Sequence, residues 1–258
     1  MRRPVFAILL SALLVSTEPS LAGTELGDAC GAPDEFVTTD VALTQFAAAV
    51  AAGGPVDILA VGSATTVGSV TTTGQQSATQ SGGAFPWQML QALRAALPSV
   101  EFRLTVHGGR GMTAEDMLPL IETALKQQHY ALVVWQTATV EAVRGLQPDG
   151  LLDVLQSGAE RVHDAGADLV LIDPQFSRFL RANTDLDPYT NVMQQVATMP
   201  GVALFHRFDL MRAWANDGRI DLERTSKADR DKALGELNAC LGKALARFIL
   251  SGAEAAKK

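Results

Sequence analysis

Five short apolar runs, at residues 57–62, 100–106, 131–136, 168–173 and 202–205, most constrain what this chain can fold into. Each is rich in Val, Leu and Ile and none alternates cleanly with polar residues. Strands covered on one face show such alternation, whereas strands covered on both faces read as continuous apolar runs. Helical patterns separate the runs, and strands alternating with helices at this spacing predict a parallel sheet between two helical layers. The expected fold class is therefore α/β, a three-layer α/β/α sandwich with a five-stranded, mainly parallel sheet.

Start and stop signals bound the intervening helices. Pro86 suits a first helical turn ahead of Leu90, Leu93 and Leu97, and Pro98 ends the segment. Thr113 with Asp116 three residues later resembles a capping box, followed by an apolar face of Met117, Leu120, Ile121, Ala124 and Leu125. A third helix is expected over 151–165. The last is expected over 228–250, with Leu234, Leu237, Leu241, Leu245, Phe248 and Ile249 on one stripe. The uncharged Ser/Thr/Gln/Gly/Ala stretch at 63–83 reads as a long loop over the strand ends, either a lid or a solvated insertion.

The N-terminus carries an export signal. Arg2 and Arg3 precede an apolar run at 5–15, and Ser20-Leu21-Ala22 is a small-x-small cleavage site, so residues 1–22 read as a signal peptide and 23–258 as a single domain. An uncleaved anchor is the alternative. No later segment is apolar for long enough to span a bilayer, so no membrane span is expected in the mature chain, whose location would be periplasmic or secreted. The net charge of −7, without a basic run, argues against nucleic acid as a partner. Cys30 and Cys240 lie near the two ends of the mature chain. In an exported protein such a pair is expected to form a disulfide, two free buried thiols being the alternative. Neither has a second ligand at metal-binding spacing, and neither metal nor cofactor is expected.

Ligands of such sheets bind at the carboxyl ends of the strands, where strand order reverses. The residues to watch are then 62–66, 107–113, 137–141, 174–178 and 206–209. The first group, Gly62-Ser63-Ala64-Thr65-Thr66, follows a strand as a nucleophile-bearing turn would. Gly111-Met112-Thr113 precedes a helix, and a glycine there lets a backbone N–H approach a developing oxyanion. Trp135-Gln136-Thr137-Ala138-Thr139-Val140-Glu141 ends the third strand, and Leu237-Asn238-Ala239-Cys240-Leu241-Gly242 lies in the closing helix. In this order the blocks resemble the SGNH/GDSL hydrolases across nearly the whole mature chain, which implies an SGNH hydrolase-like, flavodoxin-like sandwich and an ester-hydrolysing ancestry.

The resemblance also implies losses. The family's nucleophilic serine falls on Ala64, its oxyanion asparagine on Val140, and its Asp-x-x-His block on 217–231, which contains no histidine. Alanine has no nucleophilic atom, valine cannot donate a hydrogen bond, and no base stands in the expected place. Possible remnants of a site are Ser63, Gly111 and His206, with Asp209 beside the last and His107 near the second strand. Candidate ligand contacts are Gly62, Ser63, Thr65, Gly111, Thr139 and Glu141. Thr66 would cap local backbone, Asp173 would cap the turn after its strand, and His129 and His163 would be solvated. Trp135, Phe176 and Trp214 could line a sugar or acyl site or serve packing.

The expected function is thus that of an inactive, esterase-like binding or envelope accessory protein, with a glycan, acyl or peptide ligand. An active carbohydrate- or lipid-ester hydrolase with a relocated triad is the alternative, and a purely structural partner-binding domain a third.

Overall fold

The computed structural model describes residues 30–68 and 83–258. The expected signal peptide and most of the expected loop at 63–83 lie outside them. Five parallel strands, β1 (Val56–Gly62), β2 (Phe102–Gly108), β3 (Leu132–Gln136), β4 (Asp168–Ile172) and β5 (Val202–Phe205), form one sheet in the order β2-β1-β3-β4-β5. The helices are α1 (Asp34–Val37), α2 (Thr44–Ala52), α3 (Ala64–Val67), α4 (Phe85–Ala96), α5 (Ala114–Gln127) and α6 (Thr139–Arg144), then α7 (Pro148–Asp164), α8 (Arg178–Asn183), α9 (Asp187–Val196), α10 (Arg207–Asn216) and α11 (Arg230–Ala255). This is the expected three-layer sandwich.

The absence of polar alternation has its cause in two cores. Along β1, Ile58 and Ala60 join one cluster with Phe46, Met89, Leu93, Phe205 and Phe248. Leu59 and Val61 point the other way, into a cluster with Met117, Ile121, Trp135, Leu155 and Met193. Successive side chains of a strand face opposite sides, so a sheet covered twice needs apolar residues at every position.

Several boundaries move. β2 begins at Phe102 and runs to Gly108, because it pairs with β1 over its full length, Gly62 opposite Gly108. His107 is therefore inside the strand, not after it. β4 stops at Ile172 and leaves Asp173 beyond it. The third expected helix starts earlier, at Pro148, with proline in its first turn. The last runs on to Ala255, since Gly252 and Ala253 still pack in the core, Gly252 against Leu43. Leu234, assigned to its buried stripe, is 41% exposed because it lines an open cavity instead of joining either core cluster.

Helices α1, α2, α3, α6, α8, α9 and α10 lie outside the expected elements, α3 falling within the stretch expected to be a loop. A parallel β4–β5 pair requires a crossover, and α9 supplies it by burying Tyr189, Val192, Met193 and Val196. The expected capping box is present: Thr113 Oγ1 accepts from Asp116 N–H, and the Asp116 carboxylate accepts from Thr113 N–H at 2.9 Å. Cys30 and Cys240 form a disulfide that ties the N-terminal segment to α11. Among the described residues no helix is long and apolar enough to cross a membrane.

Candidate functional site

Strand order reverses about β1, which opens a crevice between the carboxyl ends of β1 and β3. The turn after β1 and the end of β3 meet there through one side chain. Gln136, the last residue of β3, is 1% exposed. Its Oε1 accepts from the Ser63 N–H at 3.1 Å, and the hydroxyls of Ser63, Thr66 and Thr65 lie 3.0, 3.1 and 3.3 Å from the same atom. Gly62 is required beside this cluster, because a Cβ there would collide with the Thr66 hydroxyl and stand 3.0 Å from Gln136 Oε1. Gly108 is required across the sheet, since a Cβ would strike the Gly62 carbonyl.

Ser63 is extended and precedes α3, whose first residue is Ala64. The methyl of Ala64 thus occupies the first position of the turn's helix, and the neighbouring Ser63 hydroxyl is engaged by an amide rather than by a base. Among the described residues no hydrogen bond joins a serine to a histidine.

The loop after β3 keeps the shape the resemblance implies without its residue types. Ala138 has φ +70°, a left-handed conformation that glycine adopts freely and alanine rarely. Ala138 therefore stands where the family's glycine would, one residue from Thr139 and two from Val140. Both are half-buried, and Thr139 Oγ1 has no partner among the described residues. Glu141 is buried and turned toward α5, where Oε1 accepts from the Ala114 N–H and from the Thr137 hydroxyl at 3.0 Å. Gly111 has φ +78°, and its carbonyl accepts from Arg144 at 3.0 Å, which links the second and third blocks.

A second group gathers after β4 and β5. Asp173 is buried; Oδ1 accepts from the Phe208 N–H at 2.8 Å and so caps α10, while Oδ2 stands 3.6 Å from His206 Nδ1. The facing Asp173 carboxylate raises the His206 pKa against the opposing effect of burial, and burial raises that of Asp173. Asp209 pairs with Arg212 at 2.7 Å. Arg207, which lies within the group 206–209 but carried no assigned role, is 2% exposed. Its Nε donates to the Asp173 carbonyl at 3.1 Å and its Nη1 to Thr65 Oγ1 at 3.3 Å. The Thr65 hydroxyl thus connects Arg207 to Gln136, and the two groups form one network across the sheet edge.

Of the candidate residues, then, Gly62, Ser63 and Thr65 converge, with Gln136 and Arg207 added. Gly111 lies in the loop before α5, and Thr139 and Glu141 lie on α6. Trp135 and Trp214 are fully buried packing residues. Phe176 lies edge-on to Phe208, with ring centroids 5.4 Å apart, and lines a cavity beside Thr65. Gln136 left a signal, a polar residue ending a wholly apolar run. Arg207 left only its place after the fifth strand, since an arginine there is ordinarily solvated. Among the described residues no cluster of His, Cys, Asp and Glu could hold a metal.

The sequence model of the Non-GDSL lipase-like family matches residues 29–255. No curated protein matches the chain. Several solved structures share the fold. The crystal structure of TesA aligns at 20% identity and TM-score 0.51, over 72% of this chain and 97% of TesA. LAE5, an α/β hydrolase enzyme from the metagenome of Lake Arreo, Spain, aligns at 16% identity and TM-score 0.56, over 74% of this chain and 96% of its own. A two-domain esterase active on acetylated mannans, co-crystallized with mannopentaose, aligns at 12% identity and TM-score 0.61, over 81% of this chain and 55% of its own.

Proposed function

The chain belongs to the Non-GDSL lipase-like family, and from this premise we propose that it is a non-hydrolytic member, exported and processed after Ala22, that binds a small ligand at the strand ends. The observation that carries the proposal is the chemistry of the turn after β1. Ala64 supplies a methyl group there, and the Ser63 hydroxyl lies 3.0 Å from an amide oxygen. An acyl-transfer nucleophile needs a base to take its proton, and a glutamine amide is not one. Val140, in place of an asparagine, offers no side-chain donor to an oxyanion. The disulfide between Cys30 and Cys240 supports an oxidising compartment, periplasmic or extracellular.

The test is an ester screen on the purified protein, with p-nitrophenyl acetate, p-nitrophenyl butyrate and acetylated oligosaccharides, together with fluorophosphonate labelling. Neither turnover nor labelling is expected. Turnover abolished by changing a single residue of the cleft would overturn the proposal. One observation favours a second reading, an active ester hydrolase with a relocated triad: His206 Nδ1 faces the Asp173 carboxylate, as the base of a triad faces its orienting acid. On that reading His206→Ala abolishes a turnover that the wild type displays.

A further inference from the structure

Beside the turn of α3 lies a cavity of about 340 Å³, walled by Phe85, Phe176, Met211, Leu222, Leu237 and Leu241. That volume is at the lower end of those that hold small molecules. The polar members of its wall include Arg207, Thr65, Ser177, Arg230 and Asn238. Arg207 is the unusual member. Buried charges are ordinarily paired, yet its hydrogen-bond partners are a carbonyl and a hydroxyl, both neutral. Among the described residues it forms no ion pair within 4.0 Å. The carboxylate of Asp173 is directed to His206 and the Phe208 N–H instead. Glu223, on the cavity wall, is likewise engaged by the Ser177 hydroxyl and the N–H groups of Arg178 and Phe179. Residues 69–82 contain no Asp or Glu. Burial lowers the Arg207 pKa to about 10, which leaves the guanidinium charged at neutral pH.

A buried cation with no carboxylate in salt-bridge contact among the described residues, Asp173 acting on it only from beyond 4.0 Å, suits a ligand with one negative head and a hydrocarbon tail. We propose that the cavity binds a medium-chain monocarboxylate, its carboxylate on Arg207 and its tail against Phe85, Phe176, Met211 and Leu237. This names the ligand class of the non-hydrolytic cleft and rests on that reading. A carboxylate forms short, charge-assisted bonds with a guanidinium. A neutral alcohol of the same length fills the apolar space and leaves the charge unpaired.

The experiment is calorimetric titration of the purified protein with octanoate and, as the neutral control, 1-octanol. Octanoate binding is expected to exceed that of 1-octanol, and Arg207→Met to weaken octanoate about tenfold or more while sparing 1-octanol. Arg207 is buried, so Leu234→Glu is the second variant. Leu234 is 41% exposed on the cavity rim, and a negative charge there is expected to weaken octanoate without unfolding the chain. Absence of octanoate binding, equal binding of 1-octanol, or octanoate affinity unchanged in Leu234→Glu would overturn the inference. So would Arg207-dependent binding of mannotriose in place of octanoate. Arg207-dependent octanoate binding accompanied by turnover of octanoyl esters would support this inference while removing the non-hydrolytic reading.

Discussion

Ser63 is held by Gln136 at two points, its N–H donating to Oε1 at 3.1 Å and its hydroxyl lying 3.0 Å from the same oxygen. One amide thereby fixes the turn after β1 to the end of β3. It also engages the hydroxyl that precedes Ala64 with an amide, which cannot act as a base. The Thr66 hydroxyl is buried against the same oxygen, so the cluster is both the support of the crevice and the reason that Ser63 is a poor substitute for a nucleophile.

Gln136→Leu keeps the size of the side chain and leaves the Ser63 N–H and the Thr66 hydroxyl without their acceptor. Orphaned buried groups cost about 1–3 kcal/mol each. The variant is expected to lose about 2–4 kcal/mol in urea denaturation. A loss within about 0.5 kcal/mol, the range of ordinary surface changes, would show that the cluster does not support the turn.

Ala64→Ser restores a hydroxyl but neither a base nor an oxyanion donor. Hydrolysis of p-nitrophenyl acetate is expected to remain at the uncatalysed background, and the double variant Ala64→Ser with Val140→Asn to stay without labelling by fluorophosphonate. A rise of more than about tenfold in the single variant would place His206 within reach of position 64 as a general base.

Stability should fall as pH rises through the titration of Asp168. Its Oδ2 accepts from the Phe46 N–H at 2.9 Å, and the N–H groups of Gln45 and Thr44 also face it. Asp168 thus caps α2, which has no side-chain cap of its own. Burial raises its pKa from 3.8 to about 6 despite these bonds. Across that interval the folded chain keeps a proton that the unfolded chain releases, so stability is lost as pH rises. An asparagine side chain at this position cannot titrate. Relative to wild type, Asp168→Asn should gain about 2 kcal/mol between about pH 4 and about pH 7.5, read from denaturation curves at the two pH values. A pH-independent difference would refute the titration.

Helices α4 and α11 touch at Gly242, where a Cβ would stand 2.6 Å from the Met89 nitrogen. Gly242→Ala is expected to cost about 1–3 kcal/mol by overpacking. Gly235, on the same helix, has nothing within 4 Å of its would-be Cβ, and Gly235→Ala should stabilise by about 0.5–1 kcal/mol through helix propensity. Thermal unfolding of the two variants therefore should move in opposite directions.

Local chemistry wrote much of this protein openly. The five apolar runs became β1 to β5, and Thr113 and Asp116 became a capping box, because strand burial and helix capping depend on neighbours a few residues apart. The absence of a nucleophile at position 64 was equally legible, since alanine lacks a hydroxyl in any fold. Helices α2 and α8 to α10 were less so. Their apolar faces are short, and α9 becomes obvious only once β4 and β5 are known to be parallel.

What the tertiary structure alone decided is which distant residues meet. Ser63, Gln136 and Arg207 share one hydrogen-bond network through Thr65 because the order β2-β1-β3-β4-β5 brings their strand ends to one edge. Asp168 caps a helix that precedes it by over a hundred residues for the same reason. Whether an arginine is solvated or buried with only neutral hydrogen-bond partners depends on what the fold places around it. Periodicity fixes which face of an element is apolar, but strand order fixes what that face, and each polar residue at its end, will touch.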